Sequence, residues 1–81
     1  MRFFEKKDCG LCAEAYRALT RIRMDIPLEI ERVDIEREDG LIDRYALRIP
    51  VLARGTDELE VGGIDEGAIV RWLTAPHAKL G

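Results

Sequence analysis

Lys6-Lys7-Asp8-Cys9-Gly10-Leu11-Cys12 is the stretch on which the reading of this chain turns. Cys9 and Cys12 are its two cysteines. A secreted mini-protein stapled by disulfides usually carries more, spread along the chain. Two thiols spaced C-x-x-C near the start of a chain point instead to redox chemistry or a metal. On the N-terminal side, residues 1–5 read as a short strand. Phe3 and Phe4 are adjacent, so their side chains point to opposite faces. A strand apolar on both faces belongs in the middle of a sheet covered by helices. On the C-terminal side the period becomes helical from Leu11 to about Met24. Cys12, Ala15, Leu19 and Ile22 fall at steps of three and four, with Leu11 and Ala18 widening the stripe. Pro27 requires the helix to stop before it.

The rest of the chain extends the alternation. Leu28 to Ile35 reads as an edge strand, with a bulge suggested because Ile30 and Val33 do not share parity. Leu41, Ile42 and Tyr45 give a short helical face over about 39–47. Residues 49–53 form a third strand, with Pro50 tolerated near its start. A turn at Gly55-Thr56-Asp57 leads to a fourth strand at 59–61, antiparallel to the third. Asp65 is a fitting N-cap for a last helix whose apolar face is Ala68, Ile69, Trp72 and Leu73. The order is β-α-β-α-β-β-α, and the first crossover predicts parallel strands.

Composition bounds the answer. Eighty-one residues make one domain, with 47% apolar and 36% charged residues, which is globular composition. Lys+Arg 13 against Asp+Glu 16 leaves a net charge of −3, against the basic excess of a nucleic-acid module. No apolar run approaches the ~20 residues needed to span a bilayer. The N-terminus turns charged at once and carries no signal-peptide core, so a cytoplasmic protein is expected.

The chemistry follows from where Cys9 stands. Backbone N–H groups at a helix start have no intrahelical partners, and the aligned peptide dipoles place partial positive charge there. A thiolate gains from both, so its pKa is expected to fall below the free value of about 8.5. Lys6 and Lys7 add to this effect and Asp8 opposes it. Residues three apart on a helix bring their Cβ atoms to roughly 5–6 Å, and a small adjustment closes a disulfide. One sulfur can then attack while the sheltered one resolves the mixed disulfide. Two other readings stay open. The pair could be half of a zinc site completed by a second subunit, since His77 is the sole histidine. The cysteines could also be inert.

With these elements in order, the chain resembles the glutaredoxin branch of the thioredoxin fold. The matching residues are Cys9-Gly10-Leu11-Cys12, Ile49-Pro50 and Gly62-Gly63-Ile64-Asp65, spread over roughly residues 1–75. It is most similar to the short glutaredoxin-like proteins bearing an Asp-Cys-x-Leu-Cys motif. The resemblance implies an α/β, thioredoxin-like domain over 1–75 with a tail at 76–81. Its sheet would be four-stranded and mixed, with helices on both faces. Cys9 would be the nucleophile and Cys12 the resolving thiol. Pro50 would be a cis-proline beside them, with Ile49 offering its backbone to an extended peptide. Gly62, Gly63, Ile64 and Asp65 would hold the γ-glutamyl end of glutathione, and Lys6 its glycine carboxylate. The plainer readings are a trans proline at a strand start, a turn before a helix, and solvated lysines.

Three departures from the family pattern stand out. Gly10 and Leu11 replace the Pro-aromatic pair common between the cysteines. Asp8 puts an anion beside the nucleophile. Arg48 stands where many members carry Thr. The implied activity is thiol-disulfide exchange on protein disulfides or glutathione mixed disulfides. It needs no metal or prosthetic group, and glutathione or a reductase is the electron donor. The expected state is a monomer, with no nucleic-acid or membrane partner. The alternatives are a glutathione-dependent iron–sulfur cluster module and a fold that binds a protein partner without exchange.

Overall fold

The computed structural model describes residues 1–75, so the expected tail at 76–81, His77 included, lies outside the described residues. The elements are β1 (Arg2–Glu5), α1 (Gly10–Ile22), β2 (Glu31–Asp34), α2 (Leu41–Tyr45), β3 (Val51–Arg54), β4 (Asp57–Glu60) and α3 (Glu66–Thr74). The four strands form one mixed sheet in the order β2-β1-β3-β4. β1 runs parallel to β2 and antiparallel to β3, and β3 is antiparallel to β4.

The adjacent phenylalanines divide the core in two. Phe3 joins Leu52 of β3 with Ala15, Ala18, Leu19 and Ile22 of α1 and Ile69 and Leu73 of α3. Phe4 joins Val33, Ile35, Tyr45, Val51 and Ala53 on the opposite face, under α2. Register enforces this division. Phe3 pairs with Leu52 and Phe4 with Val51, so cross-strand partners share a face. Helices therefore cover both sides of the sheet, and β1 lies inside it as its apolar pair requires.

Several expectations change in detail. β2 is shorter than 28–35 and pairs with β1 in continuous register, so the suggested bulge is absent. The parity mismatch has another cause: Ile30 packs on the α1 side and Val33 on the α2 side. Ile42 and Leu11 are about half exposed and do not belong to inward faces. Leu41 and Tyr45, four apart, are the α2 residues that meet the sheet. α1 begins at Gly10 and ends at Ile22, two residues short of Met24. β3 starts at Val51, because Pro50 has no N–H and the Ile49 N–H donates to the Tyr45 carbonyl at 3.0 Å. β4 starts earlier than residue 59, because Gly55-Thr56 alone makes the turn, with Gly55 at φ 59°.

Candidate functional site

Cys9 is the N-cap of α1, in extended conformation (φ −110°, ψ 104°). Its carbonyl accepts the Ala13 N–H at 3.0 Å, the first helical bond. Its sulfur accepts the Cys12 N–H at 3.2 Å, in the place where a Ser or Asp oxygen usually caps a helix. Cys9 and Cys12 are joined as a disulfide, with Cα atoms 5.2 Å apart. Cys12 is 1% exposed on the inward stripe of α1, whereas Cys9 is only half-buried. No acidic residue occupies the first turn of α1. A negative sulfur at Cys9 therefore meets a backbone donor and the positive end of the helix, with no carboxylate inside that turn to oppose it. Among the described residues, no group of three His, Cys, Asp or Glu side chains is spaced to hold a metal ion.

The disulfide faces a cleft of about 460 Å³ whose lining includes Lys6, Lys7, Asp8, Cys9, Cys12 and Arg32. Both lysines are exposed. Asp8 adopts a left-handed backbone (φ 57°), a region that Asp tolerates better than most residues. Arg32 was not expected here. It sits on β2, where its guanidinium donates to both oxygens of Glu5 at 2.7 and 2.9 Å and lies 3.9 Å over the Tyr16 ring. Those contacts with Glu5 hold its pKa above the ordinary arginine value. In the sequence Arg32 is one charge among several on an edge strand. Only the parallel register with β1 brings it beside Glu5.

The other expected residues fall into a second group. The Ile49–Pro50 peptide bond is cis. Pro50 is buried, and its carbonyl accepts the Val61 N–H at 2.9 Å. A Cβ on Gly62 would lie 3.1 Å from Pro50 Cδ and 3.5 Å from Leu11 Cδ1. Gly62 is thus the point where the β4–α3 turn, the cis-proline and the C-x-x-C motif touch. Gly63 (φ 76°) and Ile64 line a further cleft of about 310 Å³, shared with Leu11, on the other side of the start of α1. Asp65 caps α3, with its Oδ1 accepting the Ala68 N–H at 2.9 Å. Lys6, Cys9 and Cys12 therefore share one cleft, while Gly63 and Ile64 share another. Leu11, Gly62 and Pro50 stand in contact at the motif.

Behind Pro50 lies a polar cluster that reading the sequence missed apart from Arg48. The Tyr45 hydroxyl donates to Glu58 at 2.6 Å, and Arg48 donates to Glu58 at 2.7 Å and to Glu60 at 3.0 Å. Burial, with the hydrogen bond to Glu58, pushes the Tyr45 phenol up. The Tyr45 hydroxyl and the Arg48 guanidinium hold the Glu58 carboxyl below the ordinary glutamate value. Residue 58 falls outside the strand expected at 59–61, so the sequence does not put it on one face with Glu60, and nothing local names a partner for either.

Comparison with known proteins agrees with this architecture. The model of the glutaredoxin-like domain family (DUF836) matches residues 1–74. The X-ray structure of the Northeast Structural Genomics target protein XcR50 from X. campestris is similar, with 31% identity and a TM-score of 0.78. That match covers 93% of this chain and 97% of the other. No curated protein matches the chain. A mixed sheet flanked by helices, a cysteine pair at the start of α1 and a family match across nearly all the described residues lead to one assignment: the chain belongs to the glutaredoxin-like domain family and has a thioredoxin-like fold.

Proposed function

We propose that this protein is a thiol-disulfide oxidoreductase that reduces protein disulfides or glutathione mixed disulfides. The observation that carries the reading is the half-buried Cys9 sulfur at the α1 N-terminus, accepting the Cys12 N–H and bonded to a sheltered Cys12. In the reduced protein, the Cys9 thiolate attacks one sulfur of a substrate disulfide. A Cys9–substrate bond forms, the substrate S–S bond breaks, and the departing thiolate takes up a proton. The Cys12 thiol then gives up its proton and attacks Cys9 Sγ. This closes the Cys9–Cys12 bond and releases the second substrate thiolate. Two electrons pass from the dithiol to the substrate.

Two molecules of glutathione, or a dithiol reductase, return those electrons. Lys6 and Lys7 in the cleft suit an anionic thiol, and Gly62, Gly63, Ile64 and Asp65 are the positions for its γ-glutamyl end. No metal or prosthetic group takes part. The protein acts as a monomer in the cytoplasm, where thiols are kept reduced.

Substitution of each cysteine tests the mechanism. Cys9→Ser abolishes turnover of a mixed-disulfide substrate. Cys12→Ser still attacks and accumulates a Cys9–substrate adduct, visible as added mass on the intact protein. Full turnover by Cys9→Ser contradicts the mechanism.

A further inference from the structure

α2 is too short to cover the sheet face beneath it. Five residues of helix reach about 7.5 Å, whereas the four-residue strands run about 13 Å. Two rows of residues cross β1, β3 and β4 on that face, Phe4–Val51–Glu60 and Arg2–Ala53–Glu58. Leu41 and Tyr45 of α2 pack into the cluster of Phe4 and Val51. Beside the Arg2–Ala53–Glu58 row the structure opens a cleft of about 670 Å³. It shares no lining residue with the cleft at Cys9.

The charges in this cleft are lopsided. Arg2 of β1, Arg44 of α2 and Arg54 of β3 line it with one carboxylate, Glu58. Both oxygens of Glu58 are engaged already, one by the Tyr45 hydroxyl and the other by Arg48. Arg44 is exposed and makes no hydrogen bond or ion pair among the described residues, and its Cζ lies 5.2 Å over the Tyr45 ring. Arg2 lies 5.0 Å over the Phe4 ring. Its carboxylate neighbours, Glu31 and Glu38, stand 3.9 Å away, beyond hydrogen-bond distance. Arg54 reaches the Leu73 carbonyl at 3.3 Å. In a chain of net charge −3, which disfavours anions over most of its surface, this is a local exception. Guanidinium groups offer forks of N–H donors that match carboxylate and phosphate oxygens. The Thr56 hydroxyl, on the turn between β3 and β4, adds a further donor. The volume lies within the roughly 300–1,000 Å³ of small-molecule sites. We propose that this cleft is a second binding site, for a small organic anion that carries two or more carboxylate or phosphate groups. Guanidinium groups on three separate elements suit an anion with more than one oxyanion group. The site uses neither cysteine and stands independently of the exchange reading.

The test is calorimetric titration of the whole chain, in its disulfide form and at low salt, with citrate and with inorganic pyrophosphate. At least one of them should bind saturably, one per chain, and the tighter of the two tells carboxylate from phosphate recognition. Arg44→Gln should weaken that binding roughly tenfold, the worth of a charge-assisted hydrogen bond. Arg2→Gln, a second variant on the same cleft, should weaken it too. Both side chains are exposed, and an unchanged thermal midpoint shows that each variant folds. In amide spectra of the wild-type chain, the bound anion should shift Arg44, Gly55 and Thr56 and leave Cys9 and Cys12 in place. Absence of saturable binding by both anions, equal affinity in wild type and both variants, or shifts centred on Lys6 and Lys7 overturns the proposal.

Discussion

Gly62 shows what one missing side chain does for the site. The ideal Cβ position lies 3.1 Å from Pro50 Cδ, tighter than ordinary van der Waals contact, and Pro50 is a buried ring that cannot swing aside. Gly62→Ala should therefore push the β4–α3 turn away from Pro50 and from Leu11, which precedes Cys12 in the motif. We expect a loss of stability of about 1–3 kcal/mol, as for overpacking elsewhere, together with a fall in turnover. Urea unfolding and a mixed-disulfide assay measure both, and an unchanged turnover would show that this contact does not bear on exchange. Much at this scale was legible beforehand. C-x-x-C, Ile-Pro and Gly-Gly-x-Asp occupy fixed places relative to strands and helices, and Asp65 caps α3 as a short polar side chain before an apolar run should. Arg32 was not legible, because its neighbours come from a different strand and register is not written in either segment alone.

At the scale of elements, periodicity gave each helix and strand its place, while edges and exposed apolar residues escaped it. Leu11 fits the α1 stripe by spacing, yet it lies on the first turn and meets Gly62 across the motif while remaining half exposed. The parity of Ile30 and Val33 suggested a bulge, since a strand with two covered faces has no single apolar parity. The tie between α2 and β4 was invisible because Tyr45 reads as part of the apolar face of α2 and Glu58 lies outside the strand expected at 59–61. That tie carries a pH dependence. The Tyr45 hydroxyl and the Arg48 guanidinium keep the Glu58 carboxyl below the ordinary value of 4.5. A carboxylate lowered by folding stabilises the native state above its unfolded pKa, and that contribution is lost as pH falls through the lower, folded value. Glu58→Gln should accordingly be less stable than wild type at pH 7, with the difference shrinking as both are taken below 4.5. Urea midpoints across that range measure it, and a difference that stays constant with pH would contradict the assignment.

The whole molecule sets two influences against each other at Cys9. A net charge of −3, with Asp8 adjacent in sequence, disfavours another negative charge. The fold answers locally. β1 delivers Cys9 to the start of a 13-residue helix, whose backbone turns a donor onto the sulfur and whose inward stripe buries its partner. Fold class was readable because the element-level signals agreed with it, from the twin phenylalanines of β1 to the cap of α3. The balance of charge at one sulfur was not, since it depends on atoms from several segments at once. The most direct measurement is the rate of Cys9 alkylation in the reduced protein, followed by mass spectrometry from pH 4 to pH 10. The midpoint should fall below the free-thiol value of about 8.5, with Cys12 alkylated far more slowly. A midpoint at or above that value, or equal labelling of both cysteines, would contradict it.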